Sequence, residues 1–260
     1  QIKFASGEEI TAGGEHLWTV SDAKGKSKTV NTDILFELVG KKKRKLFIPR
    51  IRRPMTGMDK ELPLDPYILG LWLGDGHSHS SRITTADAEV IEYVKKWAEG
   101  DGGGVSVDKT QNSGKAVTYY IKGKAKGNCP ENGRFQINTD TLHGRLRIMG
   151  LMKSCRDIKA KTGKHIPGEY LSASYSDRLE LLRGLMDTDG CHHSNSLVIF
   201  IQKEGRLVHD IIKLIESLGG WPRIHETHPG EWAKEGVKYY QVHFSIFDNP
   251  FKMEKKASKW

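Results

Sequence analysis

Long apolar runs are missing from this chain of 260 residues. No stretch approaches the ~20 consecutive apolar residues that a membrane span requires, and the first residues lack the apolar region of a signal peptide. Mean hydropathy is −0.53, as expected of a soluble globular protein. Cysteine is scarce: only Cys129, Cys155 and Cys191 occur, an odd number without paired spacing. That argues against a disulfide framework and implies a reducing, cytoplasmic setting. Acid is locally absent, because the basic residues Lys41, Lys42, Lys43, Arg44, Lys45, Arg50, Arg52 and Arg53 share their stretch with no Asp or Glu. With a formal net charge of +9, the balance points to a polyanionic partner. Leu46-Phe47-Ile48 interrupts the basic run. An ordered strand beside phosphate is therefore expected, with Lys43, Arg44, Arg50 and Arg52 as candidate DNA-backbone contacts.

What the chain does contain is one short segment twice. Ile68-Leu69-Gly70-Leu71-Trp72-Leu73-Gly74-Asp75-Gly76 and Leu182-Arg183-Gly184-Leu185-Met186-Asp187-Thr188-Asp189-Gly190 are both apolar stretches ending in Asp-Gly. On a helix, small residues four apart share one face. Gly70 and Gly74 on one helix can therefore approach Gly184 and Thr188 on the other, as in closely packed membrane helices. Asp75 and Asp189 then emerge side by side at two helix C-termini. Two carboxylates at the negative ends of two helix dipoles disfavour an anion and favour a divalent cation. Zinc is a poor expectation. Cys191-His192-His193 puts adjacent ligands on opposite faces of a strand, and neither it nor His77 and His79 has a partner pair at zinc-like spacing.

Both segments resemble the LAGLIDADG signature, and their surroundings resemble the endonuclease domains found inside inteins. Leu64-Asp65-Pro66-Tyr67 precedes the first signature. Lys164-His165-Ile166-Pro167, Tyr170-Leu171 and Arg178-Leu179-Glu180-Leu181 precede the second. The resemblance covers residues 60–260. It departs from the common pattern at Leu73, where many members carry an acid and where the second copy has Asp187, a position that is usually structural. The resemblance implies an α+β fold of two half-domains, residues 61–172 and 173–260, whose saddle-shaped antiparallel sheets are related by a pseudo-two-fold through the signature helices. It also implies a monomeric, site-specific endonuclease that makes double-strand breaks in a long double-stranded DNA target, leaving a short 3′ overhang. Mg²⁺ or Mn²⁺ would be held by Asp75 and Asp189, with Gly74 and Thr188 beside them. Lysines flank the scissile phosphate in this family. Lys164 matches one, and Lys256, chosen over Lys255, matches the other. A non-cleaving relative, a DNA-binding regulator or RNA maturase, is the alternative, although loss of the acids would be expected there.

The remaining organisation follows from local pattern. Residues 1–60 read as strands and turns. Gly7 to Val20 resembles a conserved block of an intein splicing domain, with His16 at the position that polarises the first scissile bond, and Val30 to Leu35 resembles the strand that follows. Gln1, Gly13 and the Ser258-Lys259-Trp260 end depart from what splicing needs. A partial, β-rich splicing-domain segment is therefore expected. In the first half-domain the pattern predicts a helix from Asp65, a strand at Arg82–Thr85, a helix from Ala86 to Glu99, strands within 105–121 and 134–138, and a helix capped by Thr139. In the second it predicts a helix capped by Ser176, a strand at Leu197–Gln202, a helix from Gly205 to Leu218, and strands at 221–228 and 237–247. Inner-face strand residues are the expected DNA readers: Arg82, Thr84, Lys109, Gln111, Lys115, Tyr119, Lys122 and Lys124 in the first half, His193, Asn195, Arg223, His225 and Lys238 in the second. Gln202 and Lys203, at a strand end, are candidates for base edges or the water network.

Overall fold

The computed structural model describes the chain apart from residues 5–8, 42–44, 50–53, 109–115, 124–139, 153–162, 195–196, 229 and 231–235. Lys43, Arg44, Arg50, Arg52, Lys109, Gln111, Lys115, Lys124 and Asn195 therefore lie outside the described residues, as do Thr139 and the strand expected at 134–138. The chain divides into two compact units, Gln1–Arg53 and Pro54–Trp260. No described helix is long and apolar enough to cross a membrane.

The first unit is built on strands β1 (Ile2–Lys3) and β2 (Glu9–Ile10), which pair with each other, and on a hairpin of β3 (Leu17–Ser21) and β4 (Ser27–Asn31). Asp22 closes the hairpin, its Oδ1 accepting from the amides of Lys24 (2.9 Å) and Lys26 (3.0 Å), with Gly25 in the left-handed region at φ 81°. Alternation sends Trp18, Val20 and Val30 inward, where they meet Leu35 and Leu38. The strand expected over Val30–Leu35 stops early. Asn31 caps helix α1 (Thr32–Phe36) by accepting from the Ile34 amide at 2.9 Å, and a π-helical turn at Glu37–Lys41 follows. An Asn at the end of a strand is a strong helix start, and it prevails over the β-branched residues beside it. Phe47 bridges Ser21 through two main-chain hydrogen bonds of 2.7 and 2.8 Å, while Leu46 and Ile48 pack on the small core.

The second unit is organised around helices α2 (Pro66–Asp75) and α6 (Tyr175–Asp189). Asp65 caps α2, accepting from the Ile68 amide at 3.0 Å, and Pro66 takes the first helical position. Every residue from Tyr67 to Leu73 is buried, as suits a helix that is apolar all round. After α2 come β5 (Arg82–Thr85), α3 (Ala88–Gly100), β6 (Gly104–Val107) and β7 (Val117–Lys122), the strands forming an antiparallel sheet in the order β5-β7-β6. Helices α4 (Leu142–Ile148) and α5 (Gly168–Leu171) then lead to α6. The second half has a similar order with one more strand before its helix: β8 (Gly190–Ser194), β9 (Leu197–Lys203), α7 (Arg206–Ser217), β10 (Trp221–Thr227) and β11 (Tyr239–Ser245). These strands form an antiparallel sheet in the order β10-β11-β9-β8, and α8 (Glu254–Ala257) lies near the end of the chain. One apolar core runs through both halves, so the architecture is mixed helix and antiparallel sheet.

Three helix starts differ from expectation: α3 begins at Ala88 behind the cap Asp87, not at Ala86. Ser174, not Ser176, caps α6, its Oγ accepting from the Asp177 amide at 3.2 Å. Thr141 caps α4, accepting from the Gly144 amide at 3.0 Å. In the last two regions Ser or Thr recurs at every second position, and only the turn geometry selects among them. Residues 54–60, expected to belong with the N-terminal segment, fall within the second unit. The amides of Met55 and Met58 donate to Ser217 O (2.9 Å) and Ser172 O (3.0 Å). Buried Arg178 donates to the carbonyls of Ala173 (3.0 Å), Ser217 (2.7 Å) and Met55.

Candidate active site

The backbones of α2 and α6 approach closely. A Cβ on Gly70 would lie 2.9 Å from Gly184 Cα and 2.4 Å from Leu181 O; one on Gly184 would lie 2.3 Å from Tyr67 O. One turn further on, the Thr188 side chain fills the space left by Gly74, where a Cβ would meet Thr188 Oγ1 at 1.9 Å. The Thr188 hydroxyl is turned back on its own helix and donates to Leu185 O at 2.8 Å. The small-residue faces thus bring the two helix C-termini together, and each helix ends by passing into extended backbone at a glycine. Gly76 bridges Ile83 on β5, and Gly190 pairs with Phe200 on β9. Neither glycine has a positive φ. A Cβ would instead strike the last helical turn, at 2.3 Å from Trp72 O for Gly76 and 2.6 Å from Met186 O for Gly190.

Asp75 and Asp189 project from these paired ends. Burial, then the neighbouring charge of Asp189, pushes the Asp75 carboxyl up to about 6. Burial raises Asp189 too, opposed by Lys164 and Lys256. Both lysines are held at helix ends. Lys164 Nζ donates to Gly74 O at 2.8 Å and lies 5.4 Å from the centre of the Trp72 ring. Lys256 Nζ sits among the carbonyls of Met186 (2.9 Å), Asp187 (2.7 Å), Thr188 (3.2 Å) and Gly190 (2.8 Å). Asp187 O and Thr188 O are among the carbonyls left over at the end of α6, at the negative end of its dipole. Burial lowers both ammonium groups, Lys164 to about 8, against the pull of the aspartates. Gln202 Nε2 donates to Asp189 Oδ2 at 3.3 Å. A cavity of about 750 Å³ opens beside this group, lined by Lys164, Asp189, Gln202, Lys203 and Arg206 among others.

The donor set is small and hard. Among the described residues, no cluster of three or more His, Cys, Asp or Glu side chains could hold a metal. The Gly74 and Thr188 carbonyls already accept from Lys164 and Lys256 and have one lone pair each to spare. The two carboxylates beside them fit an ion that keeps waters and draws its remaining oxygens from a substrate. That is magnesium's habit, and manganese accepts the same ligands. Burial raises both carboxyls, with the Asp189 charge adding to it at Asp75, and a divalent cation would favour their charged forms. The residues present therefore fit such an ion.

Other candidates fall elsewhere. Thr84 bonds His77 Nε2 and Thr118 Oγ1, both at 2.8 Å, and Arg82 pairs with Asp108 at 3.0 Å. Lys122 ends β7, exposed. Lys238 pairs with Glu226 at 3.5 Å. Arg223 and His193 share one face of the four-stranded sheet. Arg223 lies opposite His243, and the His243 ring is 5.9 Å from His193 and 5.3 Å from His225. His192 turns the other way, bonding Lys256 O at 2.8 Å and packing on Phe251. His243 escaped the sequence reading because register decides which alternate residues face outward. Tyr67, which donates to Asp187 Oδ2 at 2.7 Å, escaped because a Tyr in an apolar helix reads as core. The one available signal was Asp187 itself, an acid in an otherwise buried turn.

No family model matches the sequence. A replicative DNA helicase DnaB from Mycobacterium intracellulare is 30% identical over 199 residues, which is 76% of this chain and 27% of the helicase; the chain thus spans about a quarter of that relative's length. Solved structures of the homing endonuclease I-DmoI are similar at a low level. Its mesophilic variants align with a TM-score of 0.42 and 11% identity over 69% of this chain and 88% of theirs. Its complex with DNA and Ca aligns with a TM-score of 0.40 and 10% identity over 70% and 83%.

Proposed function

We propose that the chain is a site-specific DNA endonuclease of the LAGLIDADG homing type, cutting both strands of a long duplex by metal-dependent phosphodiester hydrolysis. The observation that carries this reading is the pairing of Asp75 with Asp189 at two glycine-packed helix ends, each end also holding a lysine. A bound Mg²⁺ or Mn²⁺ would acidify water and neutralise charge on the phosphate and leaving oxygen. Asp75 and Asp189, with Gly74 O and Thr188 O, would hold it. Lys164 and Lys256, fixed by helix carbonyls, supply positive charge where it develops in the transition state. Gln202 holds the Asp189 carboxylate in place. Each aspartate serves one strand, and the two sheets, related as halves of a saddle, lie along the major groove. On the four-stranded sheet, Arg223, His193, His225 and His243 present the polar edges that read bases.

The matched relative's name connects the sequence to a protein that handles DNA, but a helicase motor is a poor reading of this segment. The phosphate-cradling pattern G-x-x-x-x-G-K-[ST] occurs nowhere in the 260 residues. The N-terminal unit, with His16 stacked edge-on against Trp18 at 4.7 Å, is read as the partial splicing-type segment. A single chain in an intracellular, reducing setting completes the proposal.

The test is cleavage of a randomised duplex library with Mg²⁺ and with Mn²⁺, wild type against Asp75→Asn and Asp189→Asn. Linear double-strand products, lost by about a thousandfold or more in both variants, are expected. Salt-sensitive binding without cutting in either metal would overturn the enzyme and favour a non-cleaving regulator or maturase.

A further inference from the structure

A lysine side chain has four rotatable carbons, so its ammonium stays in place only if the backbone that carries it is fixed. Lys164 and Lys256 reach the site from segments outside the two signature helices, and the structure holds those segments by different means. For Lys256 the holder is Asp187, which is 5% exposed. Its carboxylate accepts from the amides of Lys252 (3.2 and 3.3 Å) and Met253 (3.2 Å) and from the Tyr67 hydroxyl at 2.7 Å. Met253 O then accepts from the Lys256 amide at 2.9 Å, so a continuous path of hydrogen bonds runs from Tyr67 to the lysine. Tyr67 belongs to α2, in the other half of the unit. Lys252 clamps the same point from outside, pairing with Glu180 at 2.6 Å and lying 4.5 Å from the Tyr67 ring. For Lys164 the holder is Asp210 on α7, 4% exposed, which accepts from the Ile166 amide at 3.1 Å and pairs with Arg206 at 3.4 Å. The place in α2 equivalent to Asp187 is occupied by Leu73, so the first device has no copy.

We infer that Tyr67 and Asp187 are positioning residues for Lys256, and Asp210 for Lys164, so that each strand cut depends on its own anchor. The strand-cutting consequence rests on the endonuclease reading; the anchoring itself does not. Both parts can be read on the full chain. Competitive acetylation with limiting acetic anhydride, quantified by mass spectrometry, reports the exposure of each lysine without substrate. Tyr67→Phe keeps the ring and removes only the hydroxyl. It should raise labelling of Lys256 about threefold with Lys164 unchanged, and Asp210→Asn should do the reverse. A duplex selected from the library, with its strands labelled in two colours, then gives a single-turnover rate for each strand with Mg²⁺. Each variant should slow one strand about tenfold, and the two variants opposite strands. A general loss of structure would instead slow both strands equally. Asp187→Asn, which keeps one acceptor oxygen, should repeat the Tyr67→Phe pattern more strongly. Labelling that changes at both lysines together, or at neither, would overturn the anchors even if the wild type cuts. Lysine-specific labelling in a wild type that never cuts would leave the anchors standing and remove the endonuclease.

Discussion

Helices α2 and α6 end alike and are supported differently. Each finishes with a small residue, an aspartate and a glycine, and each has an ammonium group against its last carbonyls. Two residues back the likeness fails. Leu73 is fully buried in the apolar core, while Asp187 ties three donors from two other segments into the same interior. The residues that face the shared site are held to a common pattern because they must meet at one place. The residues behind them need only fix whatever chain lies behind, and the chain differs. A duplicated signature therefore carries information about chemistry, and its departures carry information about local anchoring.

The sharpest way to break the likeness is at the crossing itself. Gly184→Leu places atoms where Tyr67 O and the Leu71 amide already stand, backbone that cannot yield without separating the helices. Overpacking of a main-chain contact should cost about 4 kcal/mol or more, a large share of an ordinary domain's stability. At the next turn the obstacle is a side chain. Gly74→Thr alone should destabilise by about 2 kcal/mol. Gly74→Thr with Thr188→Gly, which moves the one bulky group to the other helix, should recover most of that loss in urea melts. Additive losses in the double variant would refute the interlocking-slot account.

The next effect comes from copying the difference. Leu73→Asp puts a carboxyl where no described donor awaits it, and should cost about 3 kcal/mol or more. Asp187→Leu strands two amides and a phenol and should cost about 3 kcal/mol. Denaturant unfolding measures both. If Leu73→Asp were neutral, the two helices would be closer to equivalent than their surroundings indicate.

Much of the candidate site's geometry was legible in the sequence, because its logic is short-range. Helix periodicity puts Gly70 with Gly74 and Gly184 with Thr188, and Asp65-Pro66 is an unambiguous start, so the positions of Asp75 and Asp189 followed. Lys164 and Lys256 came from resemblance alone; spacing could not have placed a side chain from distant chain at a helix end. Cap selection among Ser174 and Ser176, the early stop of β4 at Asn31, and the face on which His243 lies all depend on which of several competent residues the tertiary structure uses. Arg178 was invisible as a core residue, since a buried guanidinium satisfied only by carbonyls has no sequence signature.

The last expected effect is the most discriminating, because function and stability should move in opposite directions. The Asp75 carboxyl sits at about 6 in the folded chain, against an ordinary 3.8. A raised carboxyl favours folding only while it holds its proton. That contribution is complete below about pH 3.8 and is lost as pH rises through 6, above which the folded state carries two close, partly buried charges. Each pKa unit corresponds to about 1.4 kcal/mol, so at pH 7.5 without metal Asp75→Asn should be more stable than wild type by about 2–3 kcal/mol. The advantage should shrink as the buffer is taken from pH 7 down to 4, and Mg²⁺ should narrow it by stabilising only the wild type. The matched measurement is urea unfolding of both proteins across that range, with and without Mg²⁺. A variant less stable than wild type at pH 7.5 would mean that Lys164 and Lys256 already neutralise the pair, leaving no electrostatic demand for a cation between the two helix ends.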